Sequence, residues 1–160
     1  MIEMELIGVR VELPTNNPIV LLKETTGRGR VLPIFIGGPE ATAIALALDG
    51  VETPRPMTHD LMVTLLGDLG ARLDHIVVTD LSEGTFFAEL HLQTSAGERT
   101  ISSRPSDAIA LAVRVGAPIF AEEHVVDEAA APVEDEDERE DMVEEFRRFI
   151  ENVDPEDFAS

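Results

Sequence analysis

The chain has no cysteine, no tryptophan and no tyrosine; phenylalanine supplies the aromatic residues, 4% of the whole. Without cysteine there is no disulfide, no thiolate nucleophile and no cysteine-bound zinc, and a reducing compartment is the natural setting. Positive charge is scarce as well, 12 Lys and Arg against 32 Asp and Glu for a net charge of −20. A protein that holds nucleic acid by neutralising phosphates ordinarily carries the opposite balance. No apolar run approaches the length of a membrane span. The first residues lead straight into a strand pattern with Glu3 and Glu5, not into a basic segment followed by an apolar one. The expectations are therefore a cytoplasmic protein, no membrane partner, and a nucleic-acid substrate disfavoured by charge.

What is present is a core of ordinary size. Hydrophobic residues make up 44% of 160 residues, enough for one domain and a tail. The negative charge is uneven. Residues 127–160 hold 15 acidic and 3 basic side chains, a net of −12, whereas residues 1–126 hold 17 and 9, a net of −8. Eight of those nine basic residues are arginines, which suit bidentate pairing with carboxylate or phosphate.

The chain also repeats itself. Ala43-Ile44-Ala45-Leu46-Ala47-Leu48 returns as Ala108-Ile109-Ala110-Leu111-Ala112-Val113, each copy shortly after a proline, Pro39 and Pro105. Each is preceded by β-like runs joined through glycine turns, the mark of an internal duplication. Ile7, Val9, Val11 and Leu13 alternate with Gly8, Arg10 and Glu12, as in a half-buried strand. Residues 19–24 and 31–36 give two more strands, and Pro33 confines the second of these to an edge or a bulge. Pro39 and Glu40 open a helix that ends near Asp49-Gly50. Thr58 is a suitable N-cap for a middle helix with Leu61, Met62, Leu65, Leu66 and Leu69 on one apolar face and Gly70 at its end.

The second copy runs from a strand at 73–80 through a turn at Ser82-Glu83-Gly84 to a strand at 86–94, with Phe86, Ala88, Leu90 and Leu92 on one side. A strand at 99–103, a helix from Pro105 to near Gly116 and a short strand at 118–121 follow. The fold class is α+β: duplicated β-β-β-α halves form a mainly antiparallel sheet or partial barrel with helices packed on it. Residues 1–126 form the domain and residues 127–141 an acidic linker. Residues 142–160 carry Met142, Phe146, Phe149, Ile150 and Val153 at helical spacing, a tail helix that docks on its own or a second chain. Edge strands and this apolar face both invite a homo-oligomer.

Polar residues gather at the three helix starts. In Arg55-Pro56-Met57-Thr58-His59-Asp60-Leu61, His59 and Asp60 suit acid–base work or metal ligation. The same residues also read as a plain helix start, with Thr58 capping, Asp60 complementing the dipole and His59 solvated. Arg104-Pro105-Ser106-Asp107 makes an equivalent junction. A cation at a helix N-terminus opposes the dipole, so Arg104 requires a carboxylate partner or an anionic ligand, a salt bridge being the favoured of the two. Glu40 is either a catalytic carboxylate or a dipole complement. Arg114, seven residues after Asp107, shares its face and can pair within it. His75, His91 and His124 are scattered without zinc spacing. Gly37-Gly38 ahead of a helix is a weak anion signal.

Three segments in order, Leu32-Pro33-Ile34-Phe35-Ile36-Gly37 with Glu40-Ala41, then residues 55–61, then Arg104-Pro105-Ser106-Asp107-Ala108-Ile109-Ala110-Leu111-Ala112, resemble the bifunctional nuclease family over about residues 1–126. The resemblance implies an α+β fold, a bacterial member, and hydrolysis of phosphodiester bonds in DNA and RNA. The polar positions that fall in these motifs are Glu40, Arg55, His59, Asp60, Arg104, Ser106 and Asp107. A hydrolytic scheme for them has Asp60, Asp107 or Glu40 holding Mg²⁺ or Mn²⁺. His59 activates water or protonates the leaving oxygen, and Arg55 and Arg104, with Ser106, hold the phosphate. The scheme requires the helix starts near 40, 58 and 106 to converge on one cleft. Two other readings stand beside it: a non-catalytic ligand-binding or protein-interaction module, and a hydrolase of a small anionic molecule.

Overall fold

A computed structural model describes residues 1–12 and 16–132. The tail helix expected at 142–160, and the expected linker beyond residue 132, lie outside the described residues.

Among the described residues, seven strands form a single sheet. In chain order they are β1 (Ile2–Glu12), β2 (Asn17–Glu24), β3 (Val31–Phe35), β4 (Arg72–Ser82), β5 (Thr85–Thr94), β6 (Gly97–Ser103) and β7 (Ile119–Ala121). The spatial order is β3-β2-β1-β7-β4-β5-β6. Each half supplies an antiparallel three-stranded meander, because short turns can join only antiparallel neighbours. The two meanders do not pair directly in that order: β7 lies between them, antiparallel to β1 and parallel to β4. The sheet is open, with edges at β3 and β6. Pro33 sits on the β3 edge, where its missing N–H costs no ladder bond to a further strand.

The helices are α1 (Gly38–Leu48), α2 (Thr58–Asp68), α3 (Pro105–Val115) and α4 (Glu123–Ala129). The alanines of the two similar segments let α1 lie close on β1 and β2, and α3 on β4 and β5, with α1 and α3 against each other. Ala41, Ile44, Ala108, Ile109, Ala110 and Leu111 are fully buried. Each large aliphatic side chain so removed from water contributes about 1.5–3 kcal/mol, and this layer fixes the two helix N-termini relative to each other. α2 packs on α3. Among the described residues, no helix is long and apolar enough to cross a membrane.

Several expectations are corrected. β1 carries a bulge between Leu6 and Gly8, so Ile7 is left outside the alternation and is 39% exposed instead of facing the core. Met4 and Leu6 face inward before the bulge, Val9 after it. On α2 the inward residues are Met62, Val63 and Leu66, while Leu61 and Leu65 are each 51% exposed and Leu69 is 81% exposed. The helix packs on α3 along a narrower stripe than its leucine content suggests. Its N-cap is Met57, one residue before Thr58, and the Asp60 carboxylate accepts from the Met57 N–H at 2.9 Å.

α4 spans residue 126, the expected end of the domain. Val125 and Val126 of α4 are fully buried, and Asp127 accepts from Arg30 Nη1 at 3.0 Å. Ala131 exchanges two backbone hydrogen bonds with Val31 on the outer side of β3, at 2.9 and 2.8 Å.

Candidate active site

The first turns of α1 and α3 each bring an acidic group, and that of α2 a histidine, toward a common point. Pro39 and Glu40 lie in the first turn of α1, His59 and Asp60 in that of α2, and Arg104 is the N-cap of α3 with Asp107 one turn in. Carboxylates are favoured there by the helix dipoles, and the two that meet, Glu40 and Asp107, need a cation between them. Arg104 supplies it. Its Nε donates to Asp107 Oδ2 at 2.8 Å and its Nη2 to Asp107 Oδ1 at 3.2 Å, while Nη2 also stands 3.1 Å from Glu40 Oε1. On the other side of Asp107, Oδ1 lies 2.9 Å from His59 Nε2. The result is a continuous chain of contacts, Glu40–Arg104–Asp107–His59, across α1, α3 and α2.

These four side chains line a cleft of about 500 Å³. His59 is 9% exposed and Arg104 63% exposed, so the cleft has a buried imidazole at its inner end and a guanidinium at its rim. His59 is thus a buried, bonded residue, not a solvated first-turn one. An ionised carboxylate only accepts, so the Nε2 that meets Asp107 is a nitrogen that carries a proton, and in the neutral ring the lone pair is then on Nδ1. Burial pushes the Asp107 carboxyl up, but the Arg104 guanidinium and then His59 override it and hold it below the ordinary carboxylate range. In return, Asp107 and, less strongly, Glu40 raise the Arg104 pKa.

Asp60 does not join this chain of contacts. It accepts from Arg114 Nε at 2.8 Å and from the Met57 N–H, and burial, which would raise its pKa, is outweighed by those two donors. Arg114 therefore crosses to α2 and does not pair with Asp107. Arg114 Nη1 also donates to the Ala110 carbonyl at 2.9 Å. Arg55 is exposed and does not line the cleft. Ser106 is only 5% exposed and lines a neighbouring cleft of about 620 Å³ that shares Arg104 with the first.

Asp60 and Asp107 present no ready-made set of free oxygens for Mg²⁺ or Mn²⁺, cations that take several oxygen ligands: each oxygen of both carboxylates already accepts from an arginine, imidazole or backbone N–H, with which a cation would have to compete. Among the described residues no group of three or more His, Cys, Asp or Glu side chains has a metal-binding arrangement.

One pairing escaped the sequence. His75 and His91 are cross-strand partners on β4 and β5, with rings stacked at 4.3 Å and Phe120 edge-on to His75 at 5.5 Å. Asp74 accepts from His75 Nδ1 at 2.7 Å, which holds the Asp74 pKa down.

Fold and site together define an open-sheet α+β domain with its polar cluster where three helix N-termini converge. The family model of the bifunctional nuclease domain matches residues 20–134, and the chain belongs to that family. Two proteins of Mycobacterium tuberculosis, both described as uncharacterized, are 46% identical over 165 aligned positions, covering 99% of this chain and 98% of theirs. Bifunctional nuclease 2 of Arabidopsis thaliana is 30% identical over 104 positions, 62% of this chain and 31% of the plant protein. Bifunctional nuclease 2 of Oryza sativa is 28% identical over 106 positions, 64% of this chain and 32% of its own length. The chain thus spans about a third of each plant protein.

Proposed function

We propose that the chain hydrolyses phosphodiester bonds of DNA and RNA in the cleft between α1, α2 and α3. The single observation that carries the reading is the 2.9 Å contact between His59 Nε2 and an Asp107 that is itself clamped by Arg104. The family membership and the names of the plant relatives supply the bond type. His59 Nδ1 takes a proton from water as the water oxygen attacks phosphorus. Negative charge builds on the phosphoryl oxygens, where the rim guanidinium of Arg104 meets it. The P–O bond to the leaving strand then breaks, and the imidazolium returns its proton to the leaving oxygen. Asp107 orients the ring and offsets its transient charge. Glu40 holds Arg104 from the far side. Among the described residues Arg104 Nη1 has no partner, so one N–H edge is left for the phosphate.

A labelled single-stranded oligonucleotide and equal amounts of wild type, His59→Gln and Asp107→Asn test this. Cleavage is expected to fall by about 10²-fold or more in each variant, the usual worth of a positioned acid–base group. Unchanged cleavage in both variants sinks the assignment. Chelator belongs in the same experiment. With the carboxylates paired as they are, activity is expected to survive excess EDTA; loss on chelation with recovery on Mg²⁺ returns Asp60 and Asp107 to the role of metal ligands. The acidic surface favours a second reading, a non-catalytic ligand-binding or interaction module, which requires binding in the cleft and no turnover.

A further inference from the structure

The 620 Å³ cleft is not used by the hydrolytic chemistry, yet it opens on the same arginine. It is lined by Phe35 at the end of β3, Phe86 at the start of β5, Gly37 ahead of α1, and Arg104 and Ser106 at the start of α3. Four strands separate β3 from β5 in the sheet, so the sheet curves to bring both phenylalanines to one place. Phe35 is 61% exposed, a large apolar surface left in water beside a guanidinium. Ser106 is the converse case, a residue only 5% exposed in the N-terminal turn of an eleven-residue helix, its hydroxyl with no hydrogen-bond partner among the described residues. A buried hydroxyl without a partner, lining a cleft, calls for a ligand atom.

We infer that this cleft is a nucleotide subsite in which the phosphate meets Arg104 and the Ser106 hydroxyl and an unpaired base packs against Phe35 and Phe86. An inorganic anion matches Arg104 and Ser106 but leaves the rings in water. An aliphatic chain covers the rings but strands the two polar groups. A nucleotide satisfies both ends, and 620 Å³ lies within the range of ordinary small-ligand sites. Ring stacking tolerates any base, because every base has a flat π-face. A base held in a helical duplex is stacked on its neighbours, so the subsite selects single strands. The inference takes the phosphate's position from the phosphodiester reading above and adds to it the part of the substrate that lies beside the reacting bond.

Binding of adenosine 5′-monophosphate and of ribose 5-phosphate to the full chain, measured by calorimetry, separates the two ends of the ligand. The monophosphate is expected to bind about 10-fold tighter, within the roughly 5- to 100-fold that one stacked base contributes. Phe35→Ala should erase that advantage without changing ribose 5-phosphate binding, and Phe35→Tyr should keep it. Ser106→Ala should weaken both ligands. The exposure of Phe35 makes its truncation safe for folding, and a thermal melt checks each variant. Equal binding of the two ligands by wild type, no binding of either, or an advantage that survives Phe35→Ala overturns the subsite. Phe35-dependent binding in a protein without turnover supports the subsite and removes the nuclease reading; turnover indifferent to Phe35 does the reverse.

Discussion

At the scale of single residues, the site is organised by Asp107. Among the described residues its carboxylate alone contacts both His59 and Arg104, and its folded pKa lies below the ordinary value. A carboxyl whose pKa is depressed by folding stabilises the protein above its unfolded pKa, near 4, and the contribution fades as pH falls through the lower folded value. Acid titration of wild type against Asp107→Asn should therefore show the two stabilities converging below about pH 4. A difference that persists unchanged to the acid limit contradicts the charged network. Arg114 offers a second residue-scale test. It is 10% exposed and ties α2 to α3 through Asp60. Arg114→Ala should cost about 1–2 kcal/mol in denaturant unfolding, at the low end for a charged hydrogen bond because Asp60 is partly solvated. A cost below about 0.3 kcal/mol means the tie is ornamental.

The helices and strands were largely readable. Apolar periodicity, proline positions and glycine turns placed the seven strands and three of the four helices of the described residues, because each signal is local, whereas the convergence of the helix N-termini was only a requirement of the hydrolytic scheme. The hairpin turn shows why: Glu83 and Gly84 both have positive φ, the backbone that a two-residue turn between twisted strands demands. Bulges were not readable, since one extra residue leaves no mark on composition. The irregularity between Val78 and Asp80 is what moves His75 opposite His91; simple counting back from the turn pairs Ile76 with His91 instead. The bulge in β1 reverses the fate of Ile7 in the same way. Two substitutions compare pattern with geometry there. Ile7→Thr should change stability by no more than about 0.5 kcal/mol, and Leu22→Ala, fully buried opposite Leu6, should cost about 2–5 kcal/mol. A large cost at Ile7 would restore the uninterrupted strand. Which carboxylate Arg114 reaches was equally hidden, because it depends on how α2 leans on α3 and not on either helix alone.

For the whole molecule, charge decides how substrate arrives. A chain of net charge −20 repels a polyanion, and added salt shortens the range of that repulsion. If nucleic acid is the substrate, kcat/KM should rise between about 10 mM and 150 mM salt, a range over which the Debye length falls from roughly 30 to 8 Å. Proteins that neutralise phosphates with a basic surface show the reverse. A rate that drops steeply with salt would mean a basic track that the net charge conceals.

The same scale sets when this protein can come into being. Three residues, Ile119–Ala121, splice the two meanders into one sheet, and they are made after every other strand. A nascent chain still short of residue 119 lacks the strand that β1 and β4 both pair with, which leaves those two edges without their partner. Those edges are open to strangers until the splice arrives. A chain stopped short of residue 119 is therefore expected to self-associate through those edges where the full-length chain does not.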